Sequence, residues 1–251
     1  MDSINEALLE NIKNSISEVV PKKNIGIAFS GGVDSTLVSK ICTDMGFDVT
    51  LLTIGFSESH DIIFSKEVNE YLNYSHHILE IDPETFPKIT SNIHQVINTD
   101  NLSWNENCIA FYYVSKLAKT LNLDVVITGN GIDELFCGYN AYREAFSGGQ
   151  TKINQVMDSK LDNELKMMKA VNVIASEFDV KILQPLLSEK FIKYAKTIPI
   201  SEKILSSDDL FRKHIIRKLA NNIGVPELSC NKRKKALQYG SKIHKSLLKI
   251  K

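Results

Sequence analysis

No apolar run in this chain approaches the roughly 18 residues that a membrane-crossing helix needs. Met1-Asp2-Ser3 does not open a signal peptide either. Both absences point to a cytoplasmic protein. Cysteine is scarce: Cys42, Cys108, Cys137 and Cys230 lie far apart with no CxxC pair. Neither a zinc framework nor a disulfide scaffold is expected, and all four read as reduced, mostly buried thiols. Internal repeats and low-complexity tracts are missing. With 43% hydrophobic and 24% charged residues over 251 positions, the composition is that of a soluble globular chain with one large core.

Net charge is absent as well, but only on average. From Phe211 to Lys251 there are 12 Lys or Arg and one acid, Glu227, so this stretch carries +11 and the preceding 210 residues carry −11. Two readings of the basic stretch stand: a solvated helical surface, or an element that meets polyphosphate or nucleic acid.

Apolar spacing alternates between the two regular periods. Helical spacing covers 5–20, 34–46, 61–74, 84–97 and 106–121. Short apolar runs at Asn24–Phe29, Val49–Ile54, His77–Ile81 and Leu123–Thr128 predict strands. Strand–helix alternation of this kind predicts an α/β fold with a doubly wound, mostly parallel sheet. In such sheets ligands bind beyond the carboxyl ends of the strands, where the strand order reverses. After Tyr139 the pattern changes: Gly148-Gly149 reads as a loop, 160–178, 188–197 and 208–222 read as helices, and strand signal is weak. The expected division is a nucleotide-binding core over 1–145 and a helical C-terminal region over 146–251 that completes the cleft.

Ser30-Gly31-Gly32-Val33-Asp34-Ser35 lies where the first strand gives way to a helix. Adjacent glycines let backbone N–H groups approach an anion, and a helix N-terminus adds positive potential. Ser30 and Ser35 offer hydroxyls to phosphate oxygens. Asp34 would repel phosphate unless a cation bridged them, and magnesium (Mg2+) is the natural bridge. The plainer reading is a glycine turn in which Asp34 and Ser35 cap the helix. A Walker loop is excluded because no Lys precedes the final Ser, and there is no GxGxxG pattern. At the end of the fourth strand, Thr128-Gly129-Asn130-Gly131-Ile132-Asp133-Glu134 repeats the combination of opened backbone and following acid. Asp34 and Asp133 are therefore expected to converge on one Mg2+.

The first segment resembles the phosphate loop of N-type ATP pyrophosphatases, which cleave ATP between its α and β phosphates. The second, continuing to Leu135-Phe136-Cys137-Gly138-Tyr139, is similar to the SGEGSDEVFGGY segment of the asparagine synthetase synthetase domain. The resemblance runs from about residue 22 to 245. It implies an adenine nucleotide alpha-hydrolase-like fold and an AMP-forming carbon–nitrogen ligase. Such an enzyme adenylates a carboxylic acid, aspartate or another, releases pyrophosphate, and forms an amide with ammonia or an amine. It further implies that Ala28, Ile54, Thr128 and Gly129 hold adenosine, that Ser30, Gly31, Gly32 and Ser35 bind the phosphates, and that Asp34 and Asp133 bind Mg2+. In the basic run Lys232-Arg233-Lys234-Lys235 the catalytic lysine is Lys235, with Lys234 the alternative. Its charge would offset that of the leaving pyrophosphate. A solvated or RNA-facing loop is the competing reading of that run.

Several positions depart from the family. Asn130, the other catalytic candidate, replaces a glutamate between the two glycines, and an amide cannot carry charge or take a proton. An arginine suited to a carboxylate substrate is replaced near Glu106. The terminal Asp of VPFLD becomes Ser188. The family's glutaminase domain begins with a nucleophilic cysteine, whereas no Cys precedes Cys42 here. The expected nitrogen source is therefore free ammonia, an amine, or a separate glutaminase subunit. An ATP-dependent RNA-modifying enzyme and a nucleotide-binding subunit of a larger amidotransferase are the alternatives, and a homo-oligomer is left open. His76-His77 reads as structural. Trp104 sits in a stretch read as a polar loop, 98–107, either a lid over the substrate or an anchor.

Overall fold

The short apolar runs become strands because their backbone groups can be satisfied only by neighbouring strands. The computed structural model describes residues 1–233 and 235–250. Its strands are β1 (Asn24–Ala28), β2 (Asp48–Gly55), β3 (Ser75–Glu80), β4 (Val125–Ile127) and β5 (Lys181–Leu183). They form one sheet in the order β3-β2-β1-β4-β5, parallel throughout. Ile25 and Ile27 of β1, Leu51 of β2, and Val126 and Ile127 of β4 are fully buried at its centre.

Helices flank the sheet: α1 (Ser3–Val19), α2 (Val33–Asp44), α3 (His60–Leu72), α4 (Phe86–Ile97) and α5 (Leu102–Thr120). Past β4 come α6 (Ile132–Leu135), α7 (Asn140–Ala145), α8 (Gly149–Ser176), α9 (Glu189–Thr197) and α10 (His214–Asn222). Three short ones end the chain: α11 (Glu227–Cys230), α12 (Leu237–Gly240) and α13 (Ile243–Leu247). The first is set by its cap. Asp2 accepts the Asn5 N–H at 2.9 Å, and Leu8, Ile12 and Ile16 then fall on one fully buried face. The fold class is thus the α/β, doubly wound, mostly parallel one that the alternation predicts.

Four local expectations need correcting. Strand signal is not confined to the first half: Val126 pairs with Ile182 and Ile127 with Leu183, so the C-terminal half completes the sheet. Three residues are too few to show a period. Trp104 lies on α5, not in a loop. Asn101 caps that helix by accepting the Trp104 N–H at 3.2 Å, and the indole N–H donates to Asn163 at 2.9 Å. Gly148-Gly149 is no open loop either, since a 3₁₀ turn at Phe146–Gly148 leads straight into α8. The helix read at 208–222 starts only at His214, because Asp209 takes the N–H groups of Leu205, Phe211 and Arg212 at 2.9–3.0 Å and folds a turn instead.

Candidate active site

The order of the sheet decides where a ligand can lie. From β1 the chain builds outward through β2 and β3, then returns to set β4 on the other side of β1. The carboxyl ends of β1 and β4 therefore emerge side by side at the reversal point. The two tips touch. A Cβ at Gly129 would lie 3.2 Å from the Asp34 backbone, an approach that glycine permits. Gly131 has φ +104°, and a Cβ there would come within 2.7 Å of the Leu186 carbonyl oxygen.

One cavity opens over these tips. Its walls include Ala28, Ser30, Asp34 and Ser35 from the first tip, Ile54 from β2, Thr128, Gly129, Asn130 and Asp133 from the second, and Lys235 from the C-terminal stretch. The structure thus brings together ten of the residues singled out from the sequence. Gly31 and Gly32 make the first turn without walling the cavity; the Gly31 carbonyl accepts the Ser229 hydroxyl at 2.7 Å. Lys234 lies outside the described residues.

Asp34 and Asp133 do converge, and what they hold is an ammonium. Lys213 Nζ donates to both Asp34 oxygens, at 2.7 and 2.8 Å, and to Asp133 Oδ1 at 3.0 Å. Burial alone would lower the Lys213 pKa; the Asp133 and Asp34 carboxylates override it and hold the pKa above its ordinary value. The backbone aims this side chain at some cost. Arg212 and Lys213 have φ of +50° and +53°, a left-handed pair costing about 1 kcal/mol or more per residue. Arg217 secures the turn. Its guanidinium donates to the carbonyls of Arg212 (2.9 Å), Phe211 and Lys232 (both 3.0 Å), and also to Cys230.

Does this pair suit Mg2+? Two carboxylates lie within 3.0 Å of a single cationic atom, beside a glycine turn. Among the described residues there is no cluster of three or more His, Cys, Asp or Glu side chains. Two carboxylates alone do not make a closed cage, but they match the needs of Mg2+ carried on a nucleotide, which takes one or two carboxylates plus phosphate oxygens. The residues fit the group in that form.

Behind the tips lies an acidic wall. Glu134 accepts the Gly131 N–H at 3.0 Å and also the Tyr139 hydroxyl. Burial, then the charges of Glu134, Asp133 and Glu164, hold the Tyr139 pKa well above its ordinary value, so the phenol stays protonated. Asn130 donates its amide to Glu164 of α8 at 2.5 Å. Sequence reasoning missed Lys213, Glu134, Tyr139 and Glu164. Nothing local marks the first or the last, which are single charges among many.

Two family departures prove to face elsewhere. Glu106 is buried, does not wall the cavity, and meets His244 Nδ1 of α13 at 2.5 Å, so it does not confront a bound acid. Ser188 caps α9 by accepting the Phe191 N–H at 3.3 Å and shares a hydrogen bond of 2.7 Å with Ser15.

The sequence profile of the asparagine synthase family matches residues 6–177. The chain belongs to the asparagine synthase family. Among relatives, it is 26% identical to a putative glutamine-hydrolyzing asparagine synthetase of Methanocaldococcus jannaschii, covering 98% of this chain and 51% of that protein. It is 22% identical to a probable glutamine-hydrolyzing asparagine synthetase of Dictyostelium discoideum, covering 85% and 42%. This asparagine synthase family member therefore spans about half the length, or less, of the curated relatives it matches. The solved NMN synthetase of Francisella tularensis aligns at 17% identity over 94% of this chain and 75% of its own, with a TM-score of 0.47.

Proposed function

We propose that this protein binds ATP with Mg2+ across the tips of β1 and β4 and uses it to adenylate a carboxylic acid, which an amine then converts to an amide. The observation that carries the reading is the convergence of Asp34 and Asp133 on one cation beside Ser30-Gly31-Gly32. A neutral turn with capping acids would not need to aim two carboxylates at a common point.

In this reading Ala28, Ile54, Thr128 and Gly129 receive adenosine, largely through backbone groups. Ser30, Gly31, Gly32 and Ser35 meet the phosphates. Asp34 and Asp133 would hold Mg2+, which when bound offsets the charge of the triphosphate. The acid's carboxylate oxygen attacks the α-phosphorus and pyrophosphate leaves. Lys235, exposed at the cavity edge, neutralises the departing charge. Ammonia or another amine next attacks the acyl carbon, and AMP leaves.

The basic C-terminal stretch supports a polyphosphate partner over nucleic acid. Arg212, Lys213 and Arg217 are buried and bonded internally, and Lys218 pairs with Asp2. Less of the +11 is thus offered to solvent than the sequence suggests.

ATP–pyrophosphate exchange against a panel of carboxylic acids, aspartate first, tests the proposal. Exchange supported by one acid names the substrate, and production of ADP and phosphate instead would refute adenylation. Asp34→Ala and Asp133→Ala should each abolish Mg2+-dependent exchange; a fully active variant would remove that residue from the metal site.

A further inference from the structure

β3 forms one edge of the sheet and β5 the other, and the two edges are finished differently. In a parallel ladder a residue turns its N–H and C=O to the same side, so successive residues face alternate neighbours. The Ile81 N–H donates to the Gly55 carbonyl of β2 at 2.8 Å. Counting back from it in register, Ser75, His77 and Leu79 also face β2, while Tyr74, His76, Ile78 and Glu80 face outward.

On β5 the outward residue is Ile182, and Asn172 seals it. The Ile182 N–H donates to Asn172 Oδ1 at 3.0 Å, and its carbonyl accepts from Asn172 Nδ2 at 3.1 Å and from Gln184 Nε2 at 2.6 Å. Asn69 seals Tyr74 in the same way, at 3.1 and 3.0 Å. The seal stops there. Among the described residues no hydrogen-bond partner meets the outward backbone groups of His76, Ile78 and Glu80. β3 also lacks the usual guards of an open edge: it has no proline and no lysine, and it pairs with β2 in unbroken register.

We propose that β3 joins the β3 of a second copy of this chain, antiparallel and about a two-fold axis at Ile78, giving one continuous sheet with five strands from each copy. The open positions are symmetric about that residue. Each Ile78 exchanges both backbone bonds with its mate, and His76 of either copy does so with Glu80 of the other. Every outward N–H and C=O of the three residues is then used. The Glu80 carboxylates fall opposite histidines and not opposite each other, where like charges would repel. The two-fold also closes the assembly, because the outermost strand at both ends becomes β5, which Asn172 seals.

The axis stands perpendicular to the sheet. Helix α3, the crossover between β2 and β3, therefore lies on the same face as its mate, and it carries Ile63 and Tyr71, 49% and 71% exposed. Strands of the two copies run in opposite directions. Their cavities open at opposite ends of the joint sheet, and both stay accessible.

Sedimentation equilibrium tests for the pair, and amide exchange followed by NMR locates it. A concentration-dependent dimer is expected between about 1 and 300 µM, the scale of a small interface. At the upper end the Ile78 and Glu80 amides should exchange at least about tenfold more slowly than at the lower end. The His77 and Leu79 amides, which face β2, should not respond to concentration. Glu80→Pro removes only an outward N–H and sets its ring in the partner's path, so it should melt normally and weaken the dimer about 100-fold or more. Ile78→Lys, facing its own mate across the axis, should weaken it through like charge. A monomer throughout the range would overturn the proposal. So would a dimer whose Ile78 and Glu80 amides exchange as fast as in dilute protein, or one that both substitutions leave intact.

Discussion

Lys213 and Asp34 are 179 positions apart in sequence, yet the lysine Nζ sits 2.7 and 2.8 Å from the two carboxylate oxygens and also reaches Asp133 at 3.0 Å. This fully buried ammonium joins the first tip, the second tip and the C-terminal helices into one electrostatic unit.

Removing that cation leaves two carboxylates facing each other. Lys213→Met should destabilise the fold by about 3–5 kcal/mol, the usual consequence of stranding a buried charge. Mg2+ without nucleotide should then raise the melting temperature of the variant and barely affect the unaltered protein. A variant that melts normally and ignores Mg2+ would separate Lys213 from the carboxylate pair.

The second tip depends on one backbone conformation. Gly131→Ala must hold a side chain at φ +104° against the Leu186 carbonyl, 2.7 Å away. The expected loss is about 2 kcal/mol or more in urea unfolding, with the nucleotide site weakened in parallel. A stable alanine variant would show that the tip can rearrange.

His76 makes stability pH-dependent. Burial first, then the charges of His77 and Lys66, lower its pKa from 6.5 to about 4. Thr53 Oγ1 donates to the Phe29 carbonyl at 2.7 Å, so His76 Nε2, 2.9 Å from that oxygen, is assigned as the N–H donor of a neutral ring. The unfolded chain binds the proton more readily, so this contribution is complete above pH 6.5 and is lost as pH falls towards 4. Up to about 2–3 kcal/mol is at stake. His76→Gln should flatten that part of the pH–stability curve; an unchanged slope would clear the residue.

Lys203 acts in the alkaline range. It is fully buried, donates to the Ala195 carbonyl at 2.7 Å, and burial lowers its pKa from 10.5 to about 8. The unfolded state holds the proton more tightly, so stability should rise with pH between about 8 and 10.5. Comparing urea midpoints at pH 8 and pH 10 should show that rise in the unaltered protein and lose it in Lys203→Met.

Much of the fold was legible because its signals are local. The strands from Asn24, Val49, His77 and Leu123 announce themselves by apolar runs between helical periods, with boundaries shifted by a few residues. The strand at Lys181–Leu183 could not be read, because it is a strand only by pairing with Val125–Ile127. Trp104 was misplaced for a similar reason: the cap at Asn101 starts its helix earlier than the apolar spacing does.

The candidate site divides along the same line. Glycines that open the backbone and acids that follow them lie within a few residues of each other, so the sequence by itself determined both tips, their place at strand ends and the expectation that Asp34 and Asp133 would meet. Only the tertiary structure decided that Lys213 stands between them, that Glu106 is taken by His244, and that Lys160 and Glu164 reach the cavity from α8. A backbone turn is encoded by its own residues. A charge acquires its role from what the folded chain packs against it, and a lysine or glutamate in sequence carries no mark of the partner it will find.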